Sequence, residues 1–177
     1  MIYFVRHGQT DDNANGNVLT GWTATPLNEK GFEQVRQTAE KLKDVKFDIC
    51  FCSPLLMTRQ TLNEIAEFHE GLQVIFDDRL KERDYGEITM QPASICKFRR
   101  WNGNDKIPFK METIPEIFDR VASFYDDLKK TYKNKNILIV SHSGVCRMTH
   151  FYFVGKPQDN DYSNFAIDNA QVMQIEF

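Results

Sequence analysis

Short apolar runs alternate along the chain with stretches where apolar residues recur every three or four positions. The runs at 2–5, 47–52, 72–76 and 136–140 are rich in β-branched and aromatic side chains and read as strands. Between them, Phe32, Val35, Ala39 and Leu42 mark one helical face, and Ile114, Ile117, Val121, Phe124 and Leu128 mark another. The second face opens on Thr113-Ile114-Pro115-Glu116, a capping box with proline inside the first turn. Ser53-Pro54 signals a further helix start, with serine as cap and proline at the first helical position. At the end of the chain, Val172, Met173 and Ile175 sit among polar residues, the pattern of an edge strand at 171–177. The stretch 84–112 follows neither period and reads as a surface arm of the same domain.

Strands alternating with helices predict an α/β domain whose mainly parallel sheet is covered on both faces. At 177 residues the chain fits one domain, 1–177, with a core that needs no disulfide or metal to stand. Lys and Arg number 22 against 25 Asp and Glu, a net charge of −3, which argues against a dedicated nucleic-acid binder. No apolar run approaches the ~20 residues of a membrane span. The first residues lack a basic leader pattern and read as a strand, so a cytoplasmic location is expected. Cys50, Cys52, Cys96 and Cys146 form no CxxC pair and read as reduced thiols.

Three of the strand ends carry chemistry. The first ends in Arg6-His7-Gly8, the second in Cys52-Ser53-Pro54 ahead of a helix bearing Arg59, and a later one in Ser141-His142-Ser143-Gly144. In an open α/β sheet, ligands bind beyond the carboxyl ends of the strands, so two imidazoles and two guanidiniums are expected to converge there. A single histidine at a strand end is usually structural, and an arginine on a helix usually faces water. Arg59, though, lies close to the apolar stripe of Leu55 and Leu62, where its charge would need an anion. The set suits phosphate. Arginine gives bidentate hydrogen bonds to phosphoryl oxygens, helix N-termini after Ser53 and Ser143 add amide donors, and Gly8 lets backbone approach the ligand. A neutral His7 can attack phosphorus while His142 stabilises the equatorial oxygens.

Arg6-His7-Gly8-Gln9-Thr10, with Asn13 following, resembles the signature of the histidine phosphatase superfamily, the phosphoglycerate mutase-like proteins. Further segments match in order: Thr25 to Gly31 with Gln34, Ser53-Pro54-Leu55 with Arg59, Gln60 and Thr61, Leu80 to Gly86, and Val140 to Val145 with Arg147. The resemblance implies a three-layer α/β/α sandwich, mostly parallel with one antiparallel edge strand. It implies that His7 is the nucleophile, that Arg6, Arg59 and His142 complete the phosphate pocket, and that Glu82 is the general acid. Asn13, Thr20, Gly21, Arg83 and Tyr85 match positions near the ligand. Glu82 competes for the acid's role with Asp84, two residues on; a carboxyl beside an anionic phosphate is favoured in its protonated form. Such an enzyme would hydrolyse a small phosphorylated metabolite with no metal and no cofactor, as a monomer or homodimer, away from membranes and nucleic acid.

Departures from the family pattern are Ser143 where glycine is common, Thr23 where an acid is frequent, and no glycine after Ile88 and Thr89. Two other readings compete with a phosphatase. Arg83 and Tyr85 suit a 2,3-bisphosphoglycerate-dependent phosphoglycerate mutase, although the chain is short for one. A non-catalytic module that binds a phosphorylated ligand would not need His7 and Glu82. The arm carries Lys97, Arg99, Arg100, Lys106 and Lys110 against Asp105 alone, either a solvated face or a cationic flap over the pocket. His69 and His150 read as surface or packing residues.

Overall fold

The computed structural model describes residues 1–14, 18–95, 101–104 and 109–176. In chain order the main elements are β1 (Ile2–Arg6), α1 (Asp11–Ala14), α2 (Glu29–Leu42), β2 (Ile49–Cys52), α3 (Leu56–Ala66) and β3 (Val74–Phe76). They continue with α4 (Ile114–Thr131), β4 (Ile137–Ser141), α5 (Ser143–Val154) and β5 (Val172–Ile175). The strands form one sheet in the order β3-β2-β4-β1-β5. All neighbours are parallel except β5, which runs antiparallel to β1 with Phe4 opposite Met173.

Strand periodicity divides the core in two. Ile2 and Phe4, Ile49 and Phe51, Ile137 and Ile139 point to one face and pack under α4 and α5. Val5, Cys50, Cys52, Leu138 and Val140 point to the other, under α2 and α3. Side chains that alternate across a strand thus fill both layers, and the three-layer architecture follows. The central strand β4 is buried at every position, as its unbroken apolar run requires. The capping box on α4 forms as expected, Thr113 accepting from the Glu116 amide while the Glu116 carboxylate accepts from the Thr113 amide. Among the described residues, no helix is long and apolar enough to cross a membrane.

The helix start at Ser53-Pro54 is displaced. The α3 cap position is Leu55, with no side-chain cap hydrogen bond. Ser53 is instead fully buried, and its hydroxyl lies 2.8 Å from Nε2 of His142. Gly8 also has a different reason from the one its motif suggests. A Cβ there would sit 2.6 Å from the Gly31 carbonyl oxygen and 2.7 Å from a Val35 methyl, so the missing side chain lets the loop after β1 pack on α2. Within 84–112, Tyr85, Ile88 and Met111 are buried around Leu19. Phe98 and the cations Lys97, Arg99, Arg100 and Lys106, like Cys96, lie outside the described residues. Lys110 pairs with Glu87 at the surface.

Candidate active site

Parallel topology carries the ends of β1 and β4 to the same edge of the sheet, and their histidines follow it there. His7 continues β1 by donating its amide to the Ser141 carbonyl at the end of β4. His142 caps the N-terminus of α5, and the two rings stand 5.2 Å apart between centroids. Nδ1 of His7 lies 2.7 Å from the Gly8 carbonyl oxygen. A carbonyl can only accept, so Nδ1 carries the proton and the lone pair is on Nε2. Burial, reinforced by the Arg6 charge, pushes the His7 pKa down to about 3. Burial also holds His142 well below the usual histidine range, with His7, Arg120 and Arg6 adding to the effect. Both imidazoles are therefore neutral near pH 7.

A cavity of about 220 Å³ opens on this edge. Arg6, His7, Asn13, Glu82 and Arg147 line its polar wall, together with Thr20 and Ser143. Val18, Leu19, Tyr85 and Trp101 supply the rest. Arg6 donates from Nη1 to the Ile167 carbonyl at 2.7 Å, while its buried Nε has no hydrogen-bond partner. A buried guanidinium with an idle donor beside a cavity calls for an anion. Arg147 is 6 % exposed, donates from Nη1 to the Tyr162 carbonyl, and places its Cζ 4.7 Å from the Trp101 ring centroid. Two guanidiniums thus face one carboxylate across the cavity.

That carboxylate belongs to Glu82. Its oxygens accept from the Gly144 amide at 3.1 and 3.2 Å and from the Arg83 amide at 2.8 Å. The first turn of α5 therefore holds Glu82 through the Gly144 amide. Asp84 faces elsewhere: its Oδ1 accepts from the Gly86 amide, and it borders a separate surface depression with Trp22 and Lys110. Of the two candidate acids, only Glu82 reaches the cavity.

The remaining expectations divide. Asn13 and Thr20 line the cavity, and Tyr85 does also. Gly21 lies behind it in a turn with φ of +53°, beside Tyr85 and Thr89. Arg83 is fully buried, donates to the Glu112 carbonyl and lies against the Trp101 ring, outside the cavity lining. Arg59 is not brought to the site. Met57, Thr58, Thr61, Leu62 and Ile65 form the buried face of α3, which leaves Arg59 exposed over the ring of Phe76 at 5.8 Å. A guanidinium with water available stays in it. Thr61 is what α3 sends toward the site, its hydroxyl accepting from the Gly8 amide at 3.1 Å. The second guanidinium of the cavity is Arg147, which the sequence offered only as part of the His142 motif.

The thiols take no part in this chemistry. Cys50, Cys52 and Cys146 are buried and free. Burial pushes the Cys52 thiol up to about 12 and raises the other two. His69 packs on Phe47, and His150 stacks on Phe165. Among the described residues, no three His, Cys, Asp or Glu side chains are grouped to hold a metal ion.

The depressed histidines have a measurable consequence. In the unfolded chain His7 titrates near 6.5, in the folded chain near 3, so between those values the unfolded state binds the extra proton. Stability must fall as pH drops through that window, and it is insensitive to His7 above it. Replacing His7 by glutamine should flatten the decline of Tm between about pH 7 and pH 4.5, read by thermal melts of both proteins. Parallel declines would mean that His7 is not buried neutral.

A strand-end histidine pair, an anion-seeking arginine and a held carboxylate at the switch edge of a parallel sheet match what the sequence motifs resemble. The family pattern of the histidine phosphatase superfamily, branch 1, matches residues 2–177, and the chain belongs to that superfamily. It is 34 % identical over 176 residues to the phosphatase PhoE of Bacillus subtilis, covering 99 % of this chain and 88 % of that one. It is 32 % identical over 162 residues to a 2,3-bisphosphoglycerate-dependent phosphoglycerate mutase of Rhizobium etli, covering 82 % and 76 % of the two chains. Among solved structures, the α-ribazole phosphatase of Shigella flexneri superposes with a TM-score of 0.85 at 27 % identity, covering 97 % of this chain and 87 % of its own.

Proposed function

We propose that the protein is a phosphomonoesterase that hydrolyses a small phosphorylated metabolite through a phosphohistidine on His7. The observation that carries this reading is the fixed tautomer of His7, a neutral imidazole whose Nε2 lone pair stands in a cavity with Arg6, Arg147 and Glu82. The Nε2 pair attacks phosphorus, and the bond from phosphorus to the ester oxygen breaks in line with it. Glu82 gives its proton to the departing alkoxide. The imidazole gains positive charge as the phosphorus–nitrogen bond forms, and the Gly8 carbonyl, accepting from Nδ1–H, stabilises that charge. Water then attacks phosphorus, Glu82 takes its proton, the phosphorus–nitrogen bond breaks back onto Nε2, and inorganic phosphate leaves.

The negative charge on the phosphoryl group is met by side chains. Arg6 and Arg147 meet the phosphoryl charge. The Ser53 hydroxyl, which accepts from the Leu55 amide, lies 2.8 Å from Nε2 of His142. In the scheme it donates to Nε2, so that Nδ1 of His142 carries the ring proton and donates a hydrogen bond to an equatorial oxygen. Before substrate binds, two guanidiniums oppose the Glu82 carboxylate; once Glu82 is protonated, both are matched to a phosphate dianion.

The test separates the phosphatase from the mutase that a relative's activity suggests. Purified protein is incubated with a panel of phosphomonoesters, including 3-phosphoglycerate with and without 2,3-bisphosphoglycerate, and the products are resolved. Inorganic phosphate released at the rate of substrate loss supports hydrolysis. Isomerised phosphoglycerate without phosphate release identifies a mutase and overturns the reading.

A further inference from the structure

We propose that Arg120, held by Glu112, is a positioning residue for Glu82, setting the place of the proposed general acid without touching substrate. The inference rests on the assignment of Glu82 above. Residues 81–85 form neither helix nor strand, so their carbonyls have no ladder to join, yet this segment must present a carboxylate to within a fraction of an ångström. Arg120, on the inner side of α4, supplies the missing partners. Its Nη1 donates to the carbonyls of Arg79 at 2.6 Å and Lys81 at 2.8 Å, and its Nη2 donates to the carbonyl of Glu82 itself at 3.0 Å. The two remaining N–H groups go to the Glu112 carboxylate. All five donors of the guanidinium are thus in use, two of them on the segment that carries the acid and one on the Arg79 carbonyl in the turn just before it.

Glu112 closes the frame from the other side. Its Oε2 also accepts from the Asp84 amide at 3.1 Å, and its backbone accepts from Arg83 Nε and donates to the Asp84 carbonyl. Both side chains of the pair are mostly buried, 18 % and 12 % exposed, so solvent does not replace a lost contact cheaply. Only the planar fork of arginine reaches three carbonyls and a carboxylate together; a lysine ammonium offers three donors around one point. Trp22 assists by donating Nε1 to the Glu82 carbonyl at 2.6 Å and by packing its ring under the Lys81 ammonium, but it is exposed and gives the segment one hydrogen bond.

Leaving-group dependence tells positioning of an acid from mere support of the fold. An alkyl phosphate needs a proton on its departing oxygen, whereas 2,4-dinitrophenolate leaves without one. We expect Arg120→Met to lower kcat/KM for an alkyl phosphate by about 30- to 100-fold and for 2,4-dinitrophenyl phosphate by about threefold or less. Arg120→Lys keeps the charge but not the fork and should show the same contrast at smaller size; it carries the test if the methionine variant does not fold. Added methylguanidinium should restore part of the alkyl phosphate activity to Arg120→Ala. Glu82→Gln serves as the reference. Equal losses on both esters in Glu82→Gln overturn the assignment of Glu82 and the inference with it. If Glu82→Gln shows the contrast while the Arg120 variants lose both activities equally, or neither, the positioning role alone is overturned.

Discussion

Replacing His7 by alanine should abolish turnover, with a loss on the order of 10⁴-fold or more, while the fold survives. The change removes the attacking atom but leaves Arg6, Arg147 and Glu82 around the cavity, so inhibition by orthovanadate through the remaining pocket gives a check on its integrity. The ring also fills space beside His142, and its loss leaves a polar cavity that water can occupy. Rapid mixing of the wild-type protein with labelled substrate, quenched without acid, should trap phosphate on His7. A label on serine or cysteine would overturn the mechanism. The thiols are poor alternatives on physical grounds, since burial keeps them protonated, Cys52 with a pKa of about 12.

The elements that the sequence foretold are those whose pattern reports local physics. Unbroken apolar runs gave β1, β2 and β4 because those strands are buried on both faces, and the mixed pattern at 172–175 gave β5 because that edge is only half-buried, with Met173 and Ile175 on one core layer, Val172 on the other and Gln174 exposed. The capping box on α4 was legible for a similar reason, as all its partners lie within four residues. Local pattern fails where a residue answers to a distant partner. Ser53 looks like a helix cap, yet its hydroxyl is committed to a histidine 89 positions away. Gly8 looks like a ligand-approach glycine, yet the constraint comes from Gly31 on another helix.

The site was legible to the same degree and for the same reasons. His7, Arg6 and His142 follow from strand ends that parallel pairing brings together. Arg59 was misplaced because a stripe read at three- and four-residue spacing does not fix the edge of a helical face. The buried positions of α3 centre on Thr58, Thr61 and Ile65, and Arg59 falls outside them. Glu82 and Asp84 could not be separated from sequence, since in an irregular segment no period says which side chain points inward. In the structure Glu82 is the one that reaches the cavity, held by the Gly144 amide and by the frame of Arg120 and Glu112. Val18, Leu19 and Trp101 enter the cavity through tertiary packing that no local pattern reports, and Arg147 was offered only as part of the His142 motif.

Gly144→Ala should cost activity without costing stability. Gly144 sits in the first turn of α5, where alanine is the better helix former by about 1 kcal/mol, so backbone propensity favours the substitution. Space does not. A Cβ at this position would lie 2.1 Å from Oε1 of Glu82 and 2.7 Å from the Trp101 ring. The carboxylate is the end of a flexible side chain and yields furthest, leaving its two hydrogen bonds to the Gly144 amide, while the Trp101 ring edge must also give way by a smaller amount. Displacement by an ångström or more takes the acid off the line of the leaving oxygen. We expect kcat/KM for an alkyl phosphate to fall by about 10²-fold or more, with a much smaller fall for 2,4-dinitrophenyl phosphate. The Tm should stay within a few degrees of wild type, because the loss of the hydrogen bonds between the Gly144 amide and the cavity-lining Glu82 carboxylate is offset by helix propensity. Parallel measurement of both quantities decides the matter. A variant with full activity on the alkyl ester would mean that Glu82 does its work from a position other than the one held by the α5 N-terminus.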